Sequence, residues 1–188
     1  MRKILILPIL IICSIVNAQD KTPAQKFWMT LQEHCGNAYE GILAIPKEDE
    51  QFGGKRLVMH VRSCSETEIR VPFFVGDDKS RTWVFTFENG VITLKHDHRH
   101  EDGTEDKVTQ YGGTASNSGM ADVQFFPADQ ETATLLPRAA TNIWWVTMSD
   151  TTFTYNLRRL NSDTVFKVEM DLSQTIETPE SPWGWKGE

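Results

Sequence analysis

The stretch RTWVFTFENGVITLKHDHRHEDGTED, Arg81 to Asp106, decides the fold. Trp83, Phe85 and Phe87 recur at every second position, so in an extended chain they share one face. Glu88-Asn89-Gly90 interrupts them with turn residues, and a second alternating arm follows. In that arm Ile92, Leu94, His96, His98 and His100 fall on one face, and Val91, Thr93, Lys95, Asp97 and Arg99 on the other. Two period-two arms around a short turn specify an antiparallel hairpin with one buried face.

The same pattern extends in both directions. Ten β-rich runs are predicted, at about 39–45, 55–63, 66–75, 81–88, 91–101, 105–112, 121–127, 142–148, 152–160 and 164–172. Asp102-Gly103, Ser149-Asp150-Thr151 and Asn161-Ser162-Asp163 supply further short turns, which favour antiparallel neighbours in chain order over parallel crossovers. In the last run Phe166, Val168, Met170 and Leu172 oppose Val165, Lys167, Glu169 and Asp171. A meander of that many strands has two edges to hide, and closure removes both. The expected fold is mainly β: an antiparallel up-and-down β-barrel of about ten strands. The Gly/Ser/Asn-rich stretch Gly112 to Gly119 reads as a loop, and Ala128 to Ala140 has room for a helical turn.

One α-helix precedes the barrel. Thr22-Pro23-Ala24-Gln25 has the form of a capping box with Pro at the first helical position. Ala24, Trp28, Leu31 and Cys35 then make an apolar stripe that places Cys35 on the buried face, and Gly36 can end the helix.

Arg2 and Lys3, the apolar run Ile4 to Val16 and the small residue Ala18 have the layout of a secretory signal peptide cleaved near Ala18/Gln19. Thirteen residues at helical rise reach about 20 Å, short of a bilayer core of about 30 Å. No transmembrane segment is expected after signal removal. Cys13 follows Leu10-Ile11-Ile12 and lacks the small residue expected before a lipidated cysteine, which argues against a lipoprotein. The expected organisation is a signal peptide at 1–18, the helix and barrel at 19–178, and a tail at 179–188 whose Trp183 and Trp185 pack back on the body. The destination is the periplasm or the exterior, where Cys35 and Cys64 would pair as a disulfide; two free buried thiols are the alternative. The 188-residue chain carries a net charge of −7 without a basic block, which argues against a nucleic-acid partner.

The helix, the segment Gly36-Asn37-Ala38-Tyr39-Glu40-Gly41 entering the first strand, and Arg158-Arg159 in a late strand together resemble the calycin superfamily of lipocalins, fatty-acid-binding proteins and nitrobindin-type barrels. That resemblance implies a barrel with a ligand-accepting interior, and an arginine of the 158–159 pair packed over Tyr39. The segment Lys95-His96-Asp97-His98-Arg99-His100-Glu101-Asp102-Gly103-Thr104 is similar to one shared by an uncharacterised family of secreted bacterial proteins, with no established activity.

A two-residue turn at Asp102-Gly103 would set His100 opposite Glu105, His98 opposite Lys107 and His96 opposite Thr109. Histidines two apart on a strand lie about 7 Å apart and can share an ion, whereas those four apart lie about 13 Å apart. His98, His100 and Glu105 are then the best local set for a divalent transition metal, opposed by the ammonium of Lys107. A solvated hairpin tip is the competing reading. His60 reads as a satisfied or solvent-facing histidine. No serine-hydrolase elbow, zinc-protease helix, phosphate loop or dinucleotide fingerprint occurs, which argues against an enzyme. The leading expectation is an exported barrel that binds a small amphipathic or apolar ligand, with Trp83, Phe85, Trp145 and Tyr155 as walls and Arg159 and His96 as polar contacts. The alternatives are a metal-binding protein or metal-dependent hydrolase built on the 96–105 hairpin, and an envelope scaffold with no ligand.

Overall fold

A computed structural model describes residues 20–187; the signal-peptide expectation and Cys13 lie outside them. In chain order the elements are α1 (Pro23–Glu33), β1 (Ala38–Ile45), β2 (Leu57–His60), β3 (Ser63–Cys64), β4 (Glu68–Val75), β5 (Asp78–Glu88), β6 (Val91–His98), β7 (Tyr111–Thr114), β8 (Val123–Pro127), α2 (Gln130–Leu135), β9 (Asn142–Met148), β10 (Thr152–Arg159) and β11 (Val165–Asp171). A single turn of 3-10 helix, Pro137–Ala139, follows α2. The strands form one antiparallel sheet ordered β7-β6-β5-β4-β2-β1-β11-β10-β9-β8, with β3 added to β4. The first and last strands pair, Gly41 facing Met170, so the sheet curls into a nearly closed barrel consistent with the calycin architecture.

The seam lies between β7 and β8. Backbone hydrogen bonding there is reduced to Asp129 N–H donating to the Gly112 carbonyl at 3.1 Å. Thr132 of α2 completes it: the hydroxyl donates to the Gly112 carbonyl at 2.8 Å and accepts from the Gly112 N–H at 2.6 Å, so a side chain acts as the missing strand partner. A Cβ at Gly113 would stand 1.8 Å from the Pro127 carbonyl oxygen, so only glycine permits this approach.

Thr22 caps α1 through the predicted reciprocal bonds with Gln25. The helix buries Ala24, Phe27, Trp28 and Leu31, and Trp28 stacks on Phe87 at 5.5 Å, so α1 closes the barrel end where β5 finishes and β6 begins. Cys35 is a correction. The helix stops at Glu33 and the chain turns through Gly36 at φ +85°, leaving Cys35 beyond the last turn and exposed. Its bond to Cys64 forms as expected and ties the helix end to β3, with the two Cα atoms 6.2 Å apart.

Two further departures have local causes. The 55–63 run breaks at Val61 because its N–H turns to the Asn37 carbonyl while Arg62 N–H turns to Arg70, which separates β2 from β3. The turn after β6 is not a two-residue type I′ turn. Only Gly103 has positive φ there, Gly103 N–H bonds the His100 carbonyl and His100 N–H bonds the Thr104 carbonyl, which is the three-residue form of hairpin. Arg99 therefore pairs with Glu105, one step from the expected register. The chain next leaves the sheet through 107–110, with Gln110 at φ +57°, and rejoins it with Tyr111 opposite His96. Neither predicted arm reaches its full length.

The tail lies against the outer surface. Lys79 pairs with Glu180, Arg62 bonds Ser181 at 2.7 Å, and the Arg62 guanidinium covers the Trp185 ring at 5.0 Å. No helix among the described residues is long and apolar enough to cross a membrane. The disulfide is compatible with an extracellular or periplasmic location.

Candidate functional site

Opposite α1, the barrel holds a cavity of about 690 Å³, within the usual range for small-molecule sites. Four connections form its mouth: the β1–β2 loop with Asp49 and Phe52, the β6–β7 loop with Asp106 and Val108, the Leu136–Arg138 segment, and the β10–β11 turn with Asp163.

Strand parity sets the walls. On β5 the inward set brings Trp83 to the cavity and Phe85 beneath it, where Phe85 is fully buried against Phe126. Phe85 is therefore core under the floor and not wall. On β9 the inward set is Asn142, Trp144, Val146 and Met148. Trp144 is the wall residue, and Trp145, which was expected there, lies on the outer face stacked with the half-exposed Phe125. The parity was legible: Trp144 shares its face with Val146 and Met148, whereas Trp145 shares its face with Thr147. Trp83 lies between Phe73 at 4.7 Å and Tyr155 at 4.6 Å, making an aromatic column along one side. Phe166 meets Tyr155 edge-on, and Phe52 reaches in from its loop to touch Phe166 at 4.8 Å. Phe52 escaped the sequence reading because it stands alone in a polar loop with no periodicity to mark it.

The histidine face points inward. Ile92, Leu94 and His96 are buried, His98 lines the cavity at its rim, and His100 is exposed. His96 Nδ1 lies 2.9 Å from the Tyr111 carbonyl, which can only accept, so Nδ1 carries the proton. Nε2 is then an acceptor, and the Tyr155 hydroxyl, 2.7 Å away, donates to it. Complete burial lowers the His96 pKa to about 3 and holds the imidazole neutral. Burial likewise raises the Tyr155 hydroxyl well above its ordinary value. The Tyr111 ring stacks on His96 at 4.5 Å, and its hydroxyl, pushed up to about 12 by burial, lies 3.1 Å from His98 Nε2. Burial, aided by the Arg81 charge, lowers the His98 pKa too. The inner groups His96, Tyr111 and Tyr155 can orient a ligand and are uncharged at neutral pH.

No known protein family, curated protein or solved structure matches the chain. The chemistry of the site rests on its own residues.

Of the expected ligand contacts, Trp83, Tyr155, Arg159 and His96 all line this one cavity. Arg159 reaches it by a different route from the calycin expectation. Its Nε donates to Asn142 Oδ1 at 2.9 Å, and Arg158 is exposed. Tyr39 is covered instead by His34, whose Nδ1 lies 2.7 Å from the Tyr39 hydroxyl. The cation–π contacts fall elsewhere, Arg62 over Trp185 and Arg81 over Phe52. His60 is buried, and burial lowers its pKa.

The three expected metal ligands are dispersed. His98 faces the Tyr111 hydroxyl, His100 is exposed at the turn, and Glu105 is bonded to Arg99 at 3.0 Å. Among the described residues no three His, Cys, Asp or Glu side chains converge in a way that could hold a metal ion.

Proposed function

We propose that the protein is an exported binding protein of calycin type that takes a small amphipathic or apolar molecule into its barrel. The observation that carries this reading is the cavity of about 690 Å³, walled on one side by the Phe73–Trp83–Tyr155 column, with the mutually bonded His96–Tyr155 pair inside and charged side chains at its mouth. Aromatic walls with a few oriented polar atoms are the usual make-up of a small-molecule site. A pocket that served only as packing would be filled by side chains, as interiors normally are. Export supports the same reading: a signal-like leader, a disulfide and a net charge of −7 suit a soluble carrier outside the cytoplasm.

The test is titration with N-phenyl-1-naphthylamine, an uncharged fluorescent probe, followed by energy transfer from the cavity tryptophans. One site per chain is expected. Leu157 lines the cavity, so Leu157→Trp should fill the space and weaken binding at least tenfold. Trp145→Ala, on the outer face, should leave it unchanged. A folded Leu157→Trp variant that binds the probe as well as the parent chain overturns the reading.

A further inference from the structure

The charges at the mouth have a pattern that the interior lacks. Four guanidiniums line the cavity, from Arg81, Arg99, Arg138 and Arg159, in a chain whose net charge is −7. Two of them are spoken for. Arg81 is paired with Asp78 at 2.6 Å, and Arg99 is divided between Asp97 at 2.8 Å and Glu105 at 3.0 Å. Arg138 and Arg159 have no carboxylate within 4 Å among the described residues.

The carboxylates of the mouth keep their charges but form no ion pair with Arg138 or Arg159 among the described residues. Asp49 accepts from the Gln51 and Phe52 amides, and Asp106 accepts from the Val108 amide, so both stabilise their own loops. Asp163 lines the cavity without an ion pair. Arg159 is also positioned. The buried Asn142 holds its Nε, which fixes the plane of the guanidinium and leaves both Nη groups without a partner among the described residues. A guanidinium fixed at Nε by a neutral amide keeps its full charge and offers two parallel donors, the geometry that suits a carboxylate or sulfonate.

Deeper in, nothing compensates a charge. The His96–Tyr155 pair is mutually satisfied, and an ion carried beside it would lose its hydration without gaining a counterion. Resting on the binding reading above, we propose that the occupant is an amphipathic monoanion. Its apolar or aromatic body lies against Phe73, Trp83 and Tyr155, and its carboxylate, sulfate or sulfonate stays at the mouth on Arg159 and Arg138. The polarity of insertion follows: apolar end first, acid group last.

The experiment uses two probes that share one scaffold, 8-anilino-1-naphthalenesulfonate and uncharged N-phenyl-1-naphthylamine, titrated into the purified disulfide-bonded chain. The sulfonate should bind about tenfold tighter at low salt, the equivalent of one charge-assisted bond, and lose that preference as ionic strength rises. Arg159→Gln and Arg138→Gln should each cut the preference severalfold while leaving the uncharged probe bound, which also reports that the variants are folded. Arg158→Gln removes the same charge from the outward-facing neighbour and should leave the preference intact. Tetradecanoate should displace either probe better than tetradecanol does. Equal affinity for the two probes, or an Arg158→Gln loss as large as the Arg159→Gln loss, overturns the anion proposal and leaves the binding reading standing. Failure of both probes to bind overturns both.

Discussion

Thr132→Val is the substitution that tests how the barrel is closed. Valine matches threonine in shape, so no cavity is created, and what is lost is one hydroxyl that joins Gly112 twice, at 2.6 and 2.8 Å. Thr132 is fully buried, so water cannot replace it. The Gly112 carbonyl keeps the Asp129 N–H, but the Gly112 N–H is left buried without an acceptor. An unsatisfied buried donor costs about 1–3 kcal/mol, and the carbonyl's lost bond adds about 0.5–1 kcal/mol. The expected loss is therefore about 1.5–4 kcal/mol. Urea unfolding should read it as a lower midpoint with an unchanged slope, because the surface exposed on unfolding is the same. Amide exchange should quicken first in β7 and β8. Thr134→Val is the matched control: its hydroxyl donates only to the Gln130 carbonyl on the exposed side of the same short helix, so the change should stay within about 0.5 kcal/mol. Equal effects from the two substitutions, or a Thr132→Val loss below about 0.5 kcal/mol, would refute the seam as described.

Two further outcomes follow from buried chemistry. His96 titrates near pH 3 in the folded chain against an ordinary 6.5, so the unfolded chain takes up the proton first as pH falls. Its contribution is fully present above about pH 6.5 and is lost toward pH 3 at up to about 1.4 kcal/mol per unit. Urea midpoints across pH 4–7 should therefore lose part of their slope in His96→Gln, and an unchanged slope would count against a neutral buried imidazole. Replacing both Cys35 and Cys64 with alanine opens a bond that spans 29 residues, and loop-closure entropy predicts a loss of about 3–4 kcal/mol in the same assay. A loss under about 1 kcal/mol would show that the bond does little to restrict the unfolded chain.

The barrel was legible because its strands repeat a simple signal. Trp83-Phe85-Phe87 and Val168-Met170 alternate strictly, several turns are short, and strand order follows chain order except at the closing pair, at the seam and at β3, which lies off the path beside β4. Thr22 and Pro23 likewise announced α1, because capping is a local event. What failed was register beyond a turn. Asp102-Gly103 suits two hairpin forms that differ by one residue, and the choice was made by hydrogen bonds of His100 and by the departure from the sheet at Gln110, which no pattern encodes. The site was legible only in part for a related reason. Trp144 and Trp145 are adjacent and chemically identical, so one step of parity moves an indole from the cavity to the surface. Arg138 and Phe52 come from loops, where position is set by tertiary contacts and not by period.

The pairing of β1 with β11 has a consequence for how the barrel forms. Most other strand pairs join chain neighbours, several of them across connections of two to five residues, and such hairpins close in microseconds. Gly41 and Met170, by contrast, must find each other across nearly the whole described chain before their contacts repay the entropy of the search. The local hairpins should therefore form first, with most of the meander assembled in the transition state and the β1–β11 ladder added afterwards. Substitutions on that ladder would then speed unfolding and leave the refolding rate nearly untouched, so the time the barrel stays shut is governed at the joint between its first and last strands.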